Sequence, residues 1–305
     1  MSVDTTAQPS GVRRCAAIAA LSAALVVLPV LAAEPDPFAD VVVAPHRVSG
    51  SLYMLTGAGG NIGLSIGSDG TLLIDDQYAP LAERIQAAVD ASGGGAPKLV
   101  LNTHFHGDHT GSNPFFGRTG TIIAHDNVRA RLLDEDGFGA AGLPVVTYSD
   151  RISVHFNGDT IDVIHLPAGH TDGDSIIWFR EANVLHMGDL FFNGQFPYID
   201  TDSGGSVAGV IDNIDTVLSM IPDDIAIIPG HGPLARKPEL AATLQMLRET
   251  RAAVIGALGS GRSIDEIVRE GLDARWAAWG GGFINEERWI RILATSFAGS
   301  PGREG

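Results

Sequence analysis

Thiols are almost missing: Cys15 is the single cysteine among 305 residues. That excludes an intrachain disulfide framework and any metal site of the CxxC type, so metal chemistry must draw on histidine and carboxylate. Basic residues are scarce too. Lys and Arg number 20 against 36 Asp and Glu, a formal net charge of −16. Nucleic-acid binding relies on basic patches, so nucleic acid is not an expected partner. After residue 33 no long uninterrupted apolar run recurs. What is present is a 45% hydrophobic, 18% charged composition, which belongs to a packed globular protein and not to a disordered chain.

Near the N-terminus Arg13 and Arg14 precede an apolar stretch from Cys15 to Ala33, closed by Val30-Leu31-Ala32-Ala33. A basic start, an apolar middle and small residues at the end describe a secretory signal peptide over residues 1–33, cut after Ala32 or Ala33. The alternative is an uncleaved N-terminal anchor, because about 19 apolar residues just span a bilayer. The expectation is an exported protein, periplasmic or secreted, with Cys15 lost alongside its leader and no lasting membrane anchor.

Short β-rich runs broken by glycine follow. Val41 to Val43, Leu52 to Leu55, Ile62 to Ile66 and Thr71 to Ile74 read as strands in antiparallel hairpins. Leu81, Ile85, Ala88 and Val89 recur at helical spacing, and Gly93-Gly94-Gly95 ends that helix. Further strands are predicted at Lys98 to Leu101, Ile122 to Ala124, Ile152 to Phe156, Thr160 to Leu166, Ser175 to Phe179, Val184 to Met187 and Ile225 to Ile228. Helices are predicted near Asp126 to Leu133 and Val207 to Met220, with a helical tail over 238–298. The Gly-rich stretch from Asp134 to Pro144 reads as a flexible surface loop. Two sheets inside and helices outside give an α+β or α/β domain.

Directly behind the strand ending at Leu101 comes Thr103-His104-Phe105-His106-Gly107-Asp108-His109-Thr110. Four potential ligands fall within six residues. Divalent zinc accepts imidazole nitrogen and carboxylate oxygen, usually four-coordinate. In an extended loop His104 and His106 point the same way, which suits one metal. Asp108 and His109 lie beyond the Gly107 bend and can turn towards a second.

This His-x-His-x-Asp-His run resembles the signature of the metallo-β-lactamase fold superfamily. Three later segments resemble that family's remaining motifs in order: Pro167-Ala168-Gly169-His170-Thr171, Gly188-Asp189, and Pro229-Gly230-His231-Gly232. The resemblance implies a four-layer αββα sandwich with a metal site at the edge of the two sheets, on a core spanning 34–235, with 236–305 a helical part of the same domain. It implies that His104, His106 and His170 hold one metal, that Asp108, His109 and His231 hold another, and that Asp189 lies between them. The implied cofactor is two Zn²⁺ ions, and the implied nucleophile a hydroxide bridging them, because a bound metal lowers the pKa of water from 15.7 to about 7. Asp108 is the candidate catalytic residue, orienting that hydroxide and accepting its proton. Asp75, at the end of the Thr71 to Ile74 strand, resembles the family's strand-end aspartate and competes with Asp76 for a supporting role. His165 and His186 read as packed strand residues, and His46, His125 and His155 as surface or structural ones.

Departures from subfamilies narrow the reaction, since fold does not fix function. Plasmid-type β-lactamases carry Cys where Asp189 stands and Lys three residues on, where this chain has Phe192. The Asp189 pattern is closer to thioesterases, lactonases and phosphodiesterases. Only 41 residues (190 to 230) separate Asp189 from His231, too few for the extra domain of the superfamily's nucleases. The aromatic segment from Leu190 to Gly205 reads either as a pocket wall, with Asn193 or Tyr198 donating to an oxyanion, or as packing. Trp276 and Trp279 read as anchors of the tail or as a cap on the site. The expectation is an exported dinuclear zinc hydrolase acting on a small-molecule ester, lactone, thioester or β-lactam. Its rivals are a mononuclear iron sulfur dioxygenase and a catalytically silent metal- or partner-binding module.

Overall fold

Strand-forming residues sort into two sheets because each strand alternates its apolar side chains between two different cores. The computed structural model describes residues 36–135 and 137–298. The leader expected over residues 1–33, and Cys15 with it, lies outside the described residues.

The first sheet has seven strands in sequence order: β1 (Ala44–Ser49), β2 (Leu52–Thr56), β3 (Ile62–Gly67), β4 (Gly70–Ile74), β5 (Pro97–Leu101), β6 (Thr121–His125) and β7 (Val146–Tyr148). β1 to β4 pair antiparallel, whereas β4 to β7 pair parallel. The second sheet contains β8 (Arg151–Phe156), β9 (Asp159–His165), β10 (Ser175–Phe179), β11 (Val184–His186), β12 (Ala226–Ile228) and β13 (Ala235–Arg236), with β11 and β12 parallel.

Along β4, Leu72 and Ile74 enter the core between the sheets while Leu73 faces outward onto helix α1 (Ala82–Ala91). Along β10, Ile177 and Phe179 face that same inter-sheet core, and Ile176 and Trp178 face the other way. A strand buried on both faces reads as a continuous apolar run, which is why β4 and β10 were legible. Short helical turns α2 (Gly107–Thr110) and α3 (Asn113–Phe116) and helix α4 (Asp126–Asp134) lie on the first sheet's side of the chain order. The outer face of the second sheet is covered by α5 (Val207–Met220), α6 (Lys237–Gly259), α7 (Ile264–Glu270) and α8 (Glu286–Ala298). Val210, Ile214 and Val217 of α5, Leu240 and Leu247 of α6 and Trp289 and Leu293 of α8 share one core with Leu185 and Ile227 of that sheet. The order of layers is helix, sheet, sheet, helix. At about 25 cal/mol per Å² of buried apolar surface, each fully buried Leu or Ile here contributes about 1.5–3 kcal/mol.

Two local expectations are corrected. Val41 to Val43 is not a strand: Val41 and Val43 pack against the outer core of the first sheet, and the Arg84 side chain donates to the Val41 carbonyl at 3.0 Å. The first strand is Ala44–Ser49 instead, an edge strand whose Pro45 is tolerated because its outer side needs no donor. The stretch from Asp134 to Pro144 is not merely a surface loop either, since Phe138 is buried against Phe105 and Val128 and a 3₁₀ turn forms at Ala140–Gly142.

Candidate metal centre

Parallel pairing aligns the C-terminal ends of β4, β5, β11 and β12, and the candidate residues follow those ends: Asp75 after β4, His104 after β5, Asp189 after β11 and His231 after β12. Open α/β sheets place ligands in this position, outside the carboxyl ends of the strands. His170 joins them from the turn between β9 and β10.

Among the described residues the seven side chains form two groups, His104, His106, His170 and Asp189, and Asp108, His109 and His231, with ligand atoms in each group within 4.8 Å of one another. In the first, His106 Nδ1 stands 3.1 Å from His104 Nε2 and 2.8 Å from His170 Nε2. Asp189 Oδ2 lies 3.5 Å from His170 Nε2 and 3.9 Å from His104 Nε2. In the second, Asp108 Oδ2 is 3.2 Å from His231 Nε2 and 3.6 Å from His109 Nε2. Asp189 faces this group as well, with Oδ1 3.0 Å from His109 Nε2 and Oδ2 3.4 Å from His231 Nε2.

These spacings fit metal ligation. Ligands about 2.0–2.1 Å from a tetrahedral ion stand about 3.3 Å apart, and the observed separations bracket that value. His109 Nε2 and Asp189 Oδ1 are buried and face each other without hydrogen-bond alignment. Two such atoms aimed at a common point are what a cation requires, and a buried polar atom without one is costly.

The other ring nitrogens of His104, His106, His109 and His170 are held by neighbouring groups, which fixes their tautomers. His109 Nδ1 donates to Asp75 Oδ2 at 2.7 Å and His170 Nδ1 donates to the Tyr198 carbonyl at 2.8 Å. Thr103 Oγ1 donates to Asp75 Oδ2, so it accepts from His104 Nδ1 at 3.0 Å. His106 Nε2 donates to Asp200 Oδ2 at 3.0 Å. Asp75, not Asp76, is thus the strand-end carboxylate that touches the site. Asp76 accepts instead from the Ser112 backbone. Asp75 adopts φ +61°, a left-handed conformation that Asp and Asn tolerate better than most residues.

Close packing also dictates glycine at two positions. A Cβ on Gly60 would stand 2.1 Å from His109 Cε1, and one on Gly230 would stand 2.0 Å from Asp189 Oδ1.

Electrostatics split the imidazoles. Burial holds His170 down to about 4 and His104 well below its usual range, so both are neutral at pH 7 and ready to ligate. Burial would lower His109 and His231 as well, but Asp189 and Asp108 override it. His109 ends well above its ordinary value and His231 at about 9. Burial alone would raise Asp189, yet the surrounding imidazoles, His109 foremost, pull it well below the usual carboxylate range. Asp108 is likewise drawn down, burial notwithstanding, by His109 and His231.

A cavity of about 440 Å³ opens onto Asp108, Asp189, His106 and His231, with Tyr78, Phe192, Tyr198 and Phe283 among its walls. Phe192, at the position of the absent lysine, stacks on His231 with ring centroids 4.9 Å apart. Asn193 does not aim at the cavity with its amide, which donates to the Pro233 carbonyl. Trp276 and Trp279 pack in the helical core. His165 is half-buried and bonded to the Asp174 carbonyl, and His186 is fully buried and bonded to the Asn61 carbonyl.

Sequence reasoning missed Asp200 and Phe283. Asp200 sits 94 positions from His106, and its sole local signal is its role as cap of the 3₁₀ turn at Thr201–Ser203. Phe283 reaches the site from beyond the last motif, where no ligand pattern marks it.

Comparison with known proteins agrees with this geometry. The family model described as "Metallo-beta-lactamase superfamily" matches residues 55–255. A metallo-beta-lactamase type 2 from Bacteroides fragilis is 23% identical over 149 residues, covering 49% of this chain and 59% of that protein. A hydroxyacylglutathione hydrolase from a Polaromonas species is 32% identical over 160 residues, 48% of this chain and 56% of that protein. The matches thus span under two thirds of these relatives. Among solved structures, a metallo-beta-lactamase from Pontibacter korlensis superposes with a TM-score of 0.59 at 17% identity, over 68% of this chain and 99% of its own. The family match takes in every candidate ligand from His104 to His231 in one stretch, on a sandwich of the same architecture. The chain belongs to the metallo-beta-lactamase superfamily.

Proposed function

We propose that this chain is an exported dinuclear zinc hydrolase that cleaves a small carbonyl compound: an ester, lactone, thioester or β-lactam. The observation that carries the reading is Asp189, whose two oxygens face both ligand groups at 3.0–3.9 Å. Relatives named as a metallo-beta-lactamase and a hydroxyacylglutathione hydrolase support a carbonyl substrate. Export is supported by the leader-like composition of residues 1–33. Among the described residues no helix is long and apolar enough to cross a membrane.

His104, His106, His170 and Asp189 would hold one ion, and Asp108, His109 and His231, with Asp189, the other. When bound, such a pair supplies Lewis acidity that ionises water near pH 7 and polarises a carbonyl. Asp108 is ionised at neutral pH, orients the attacking water through its carboxylate, accepts its proton and passes it on to the leaving group. Asp75, Asp200 and the Tyr198 carbonyl keep the imidazoles aimed. Aromatic side chains, Phe192 and Tyr198 among them, line the cavity beside the ligand groups and lower the polarity around a bound carbonyl.

The test is a panel of esters, lactones, thioesters, lactams and phosphodiesters, run alongside metal quantification on protein purified without added metal. Turnover with more than one equivalent of zinc per chain is the expected result. Iron in place of zinc, with oxygen consumption, would transfer the chain to the sulfur dioxygenase reading. Two metals bound with no substrate cleaved would leave the silent module. His106→Ala should lower metal content and turnover together, and Asp108→Asn should cost turnover even where metal persists.

A further inference from the structure

The pocket above the ligand groups is lined, apart from those ligands, mostly by aromatic and uncharged residues. Among its described lining residues the ionisable ones apart from the tyrosines are the candidate ligands themselves, and none is Lys or Arg. The other walls are aromatic. Tyr78 stands on one side, Phe192 is stacked on His231, and Tyr198 meets Phe283 at 6.3 Å in an edge-on contact. Gln195 adds one neutral amide.

Phe283 is 70% exposed, among the most exposed large apolar side chains of the described residues, yet it is fixed in place. Its neighbour Ile284 is buried and bridges to Phe196 in antiparallel fashion, and Phe196 N donates to the Trp279 carbonyl at 2.9 Å. A Cβ on Gly282 would fall 2.1 Å from Gln195 Oε1, so the loop is pressed against the pocket segment. Arg288, the guanidinium at this corner, is engaged with Phe283: it stands 4.5 Å from the ring centroid, and Nη1 donates to the Phe283 carbonyl at 3.1 Å. An aromatic ring held open to solvent at the mouth of a metal-type pocket offers a stacking face to whatever enters.

We propose that the pocket selects an uncharged substrate carrying an aromatic or similarly flat apolar group beside the scissile carbonyl, with Phe283 as the residue that sets this selectivity. The inference rests on the hydrolase reading for where that carbonyl sits. A substrate with a carboxylate on the same group would surrender hydration against aromatic faces, while the guanidinium at the mouth, Arg288, is already held by the Phe283 ring and carbonyl.

The experiment uses the full chain loaded with zinc and two matched pairs. The first is 4-nitrophenyl phenylacetate against its analogue bearing a para-carboxylate on the phenylacetyl ring, compared by kcat/KM. The second is phenylacetamide against 4-carboxyphenylacetamide, compared by calorimetric binding, which needs no turnover. The neutral member should lead by roughly tenfold or more in both pairs, because the two members share the ring and differ by one carboxylate left unpaired. Phe283→Ala should lower kcat/KM for 4-nitrophenyl phenylacetate and the affinity for phenylacetamide by roughly two- to tenfold, and Phe283→Leu should restore part of that loss. Equal or better handling of the carboxylate members overturns the inference while leaving the hydrolase reading intact. Selective amide binding with no ester cleaved supports the pocket chemistry and sinks the hydrolase reading. Binding of neither amide, or a Phe283→Ala variant that handles the neutral ligands as well as the parent, overturns the inference.

Discussion

Replacing Asp75 by Asn probes the centre without altering its shape. Asp75 is fully buried and accepts three hydrogen bonds, each 2.7 Å: Thr103 N to Oδ1, and Thr103 Oγ1 and His109 Nδ1 to Oδ2. Asn is at ease at the φ of +61° found there, so the backbone is not disturbed. It offers one oxygen only, and with that oxygen on Thr103 N, its NH₂ faces His109 Nδ1. The imidazole must then accept at Nδ1 and carry its proton on Nε2, the atom that faces Asp108 and Asp189. A buried donor left unmet costs about 1–3 kcal/mol of stability. Losing the carboxylate behind a ligating histidine costs about 10–100-fold in metal affinity. The assay titrates metal-stripped protein with zinc against a competing chelator, beside a thermal melt. Both binding steps should weaken, the one that uses His109 the more, because Thr103, which holds His104 Nδ1, itself donates to Asp75, whereas His106 and His170 have other partners, Asp200 and Tyr198. An affinity within twofold of the parent at both steps would refute the reasoning.

Asp200→Ala removes the acceptor of His106 Nε2 and should weaken the binding step that uses His106 by about 10-fold or more, read by the same titration; a shift confined to the step that uses His109 would count against the pairing. Zinc affinity should rise with pH. His231 is raised to about 9, so its charge contributes stability fully present below the unfolded value and lost as pH climbs through about 9. A metal needs that nitrogen bare, so binding expels the proton; calorimetry in buffers of differing ionisation enthalpy should detect proton release at pH 7, and none would contradict the assignment. Gly230→Ala drives a Cβ to 2.0 Å from Asp189 Oδ1 and should cost about 1–3 kcal/mol and reduce bound metal. Gly256→Ala, within α6 and with open space around its Cβ, serves as control and should stabilise by about 1 kcal/mol.

Much of the fold was legible because buried strands leave a continuous apolar run and amphipathic helices leave a period. Ser175–Phe179 shows the first and the helix Val207–Met220 the second. Elements with neither were not. Ala44–Ser49 and Val146–Tyr148 lie at sheet edges with exposed, polar or short sequences, and Ala235–Arg236 is too brief to carry a pattern. Val41 to Val43 misled because β-branched residues pack as readily as they pair.

At the centre the same division holds. Residue type and spacing marked the four side chains from His104 to His109, and the resemblance to the metallo-β-lactamase superfamily, carried by three later motifs in order, added His170, Asp189 and His231. Which oxygen of Asp189 faces which group, that Asp75 and not Asp76 carries His109, that Asp200 steadies His106 across 94 positions, and that Phe283 from the far end of the chain walls the pocket were all decided by the tertiary structure. Ligand chemistry is a property of single residues and survives in the one-dimensional string, whereas orientation, charge balance and enclosure arise when distant segments meet.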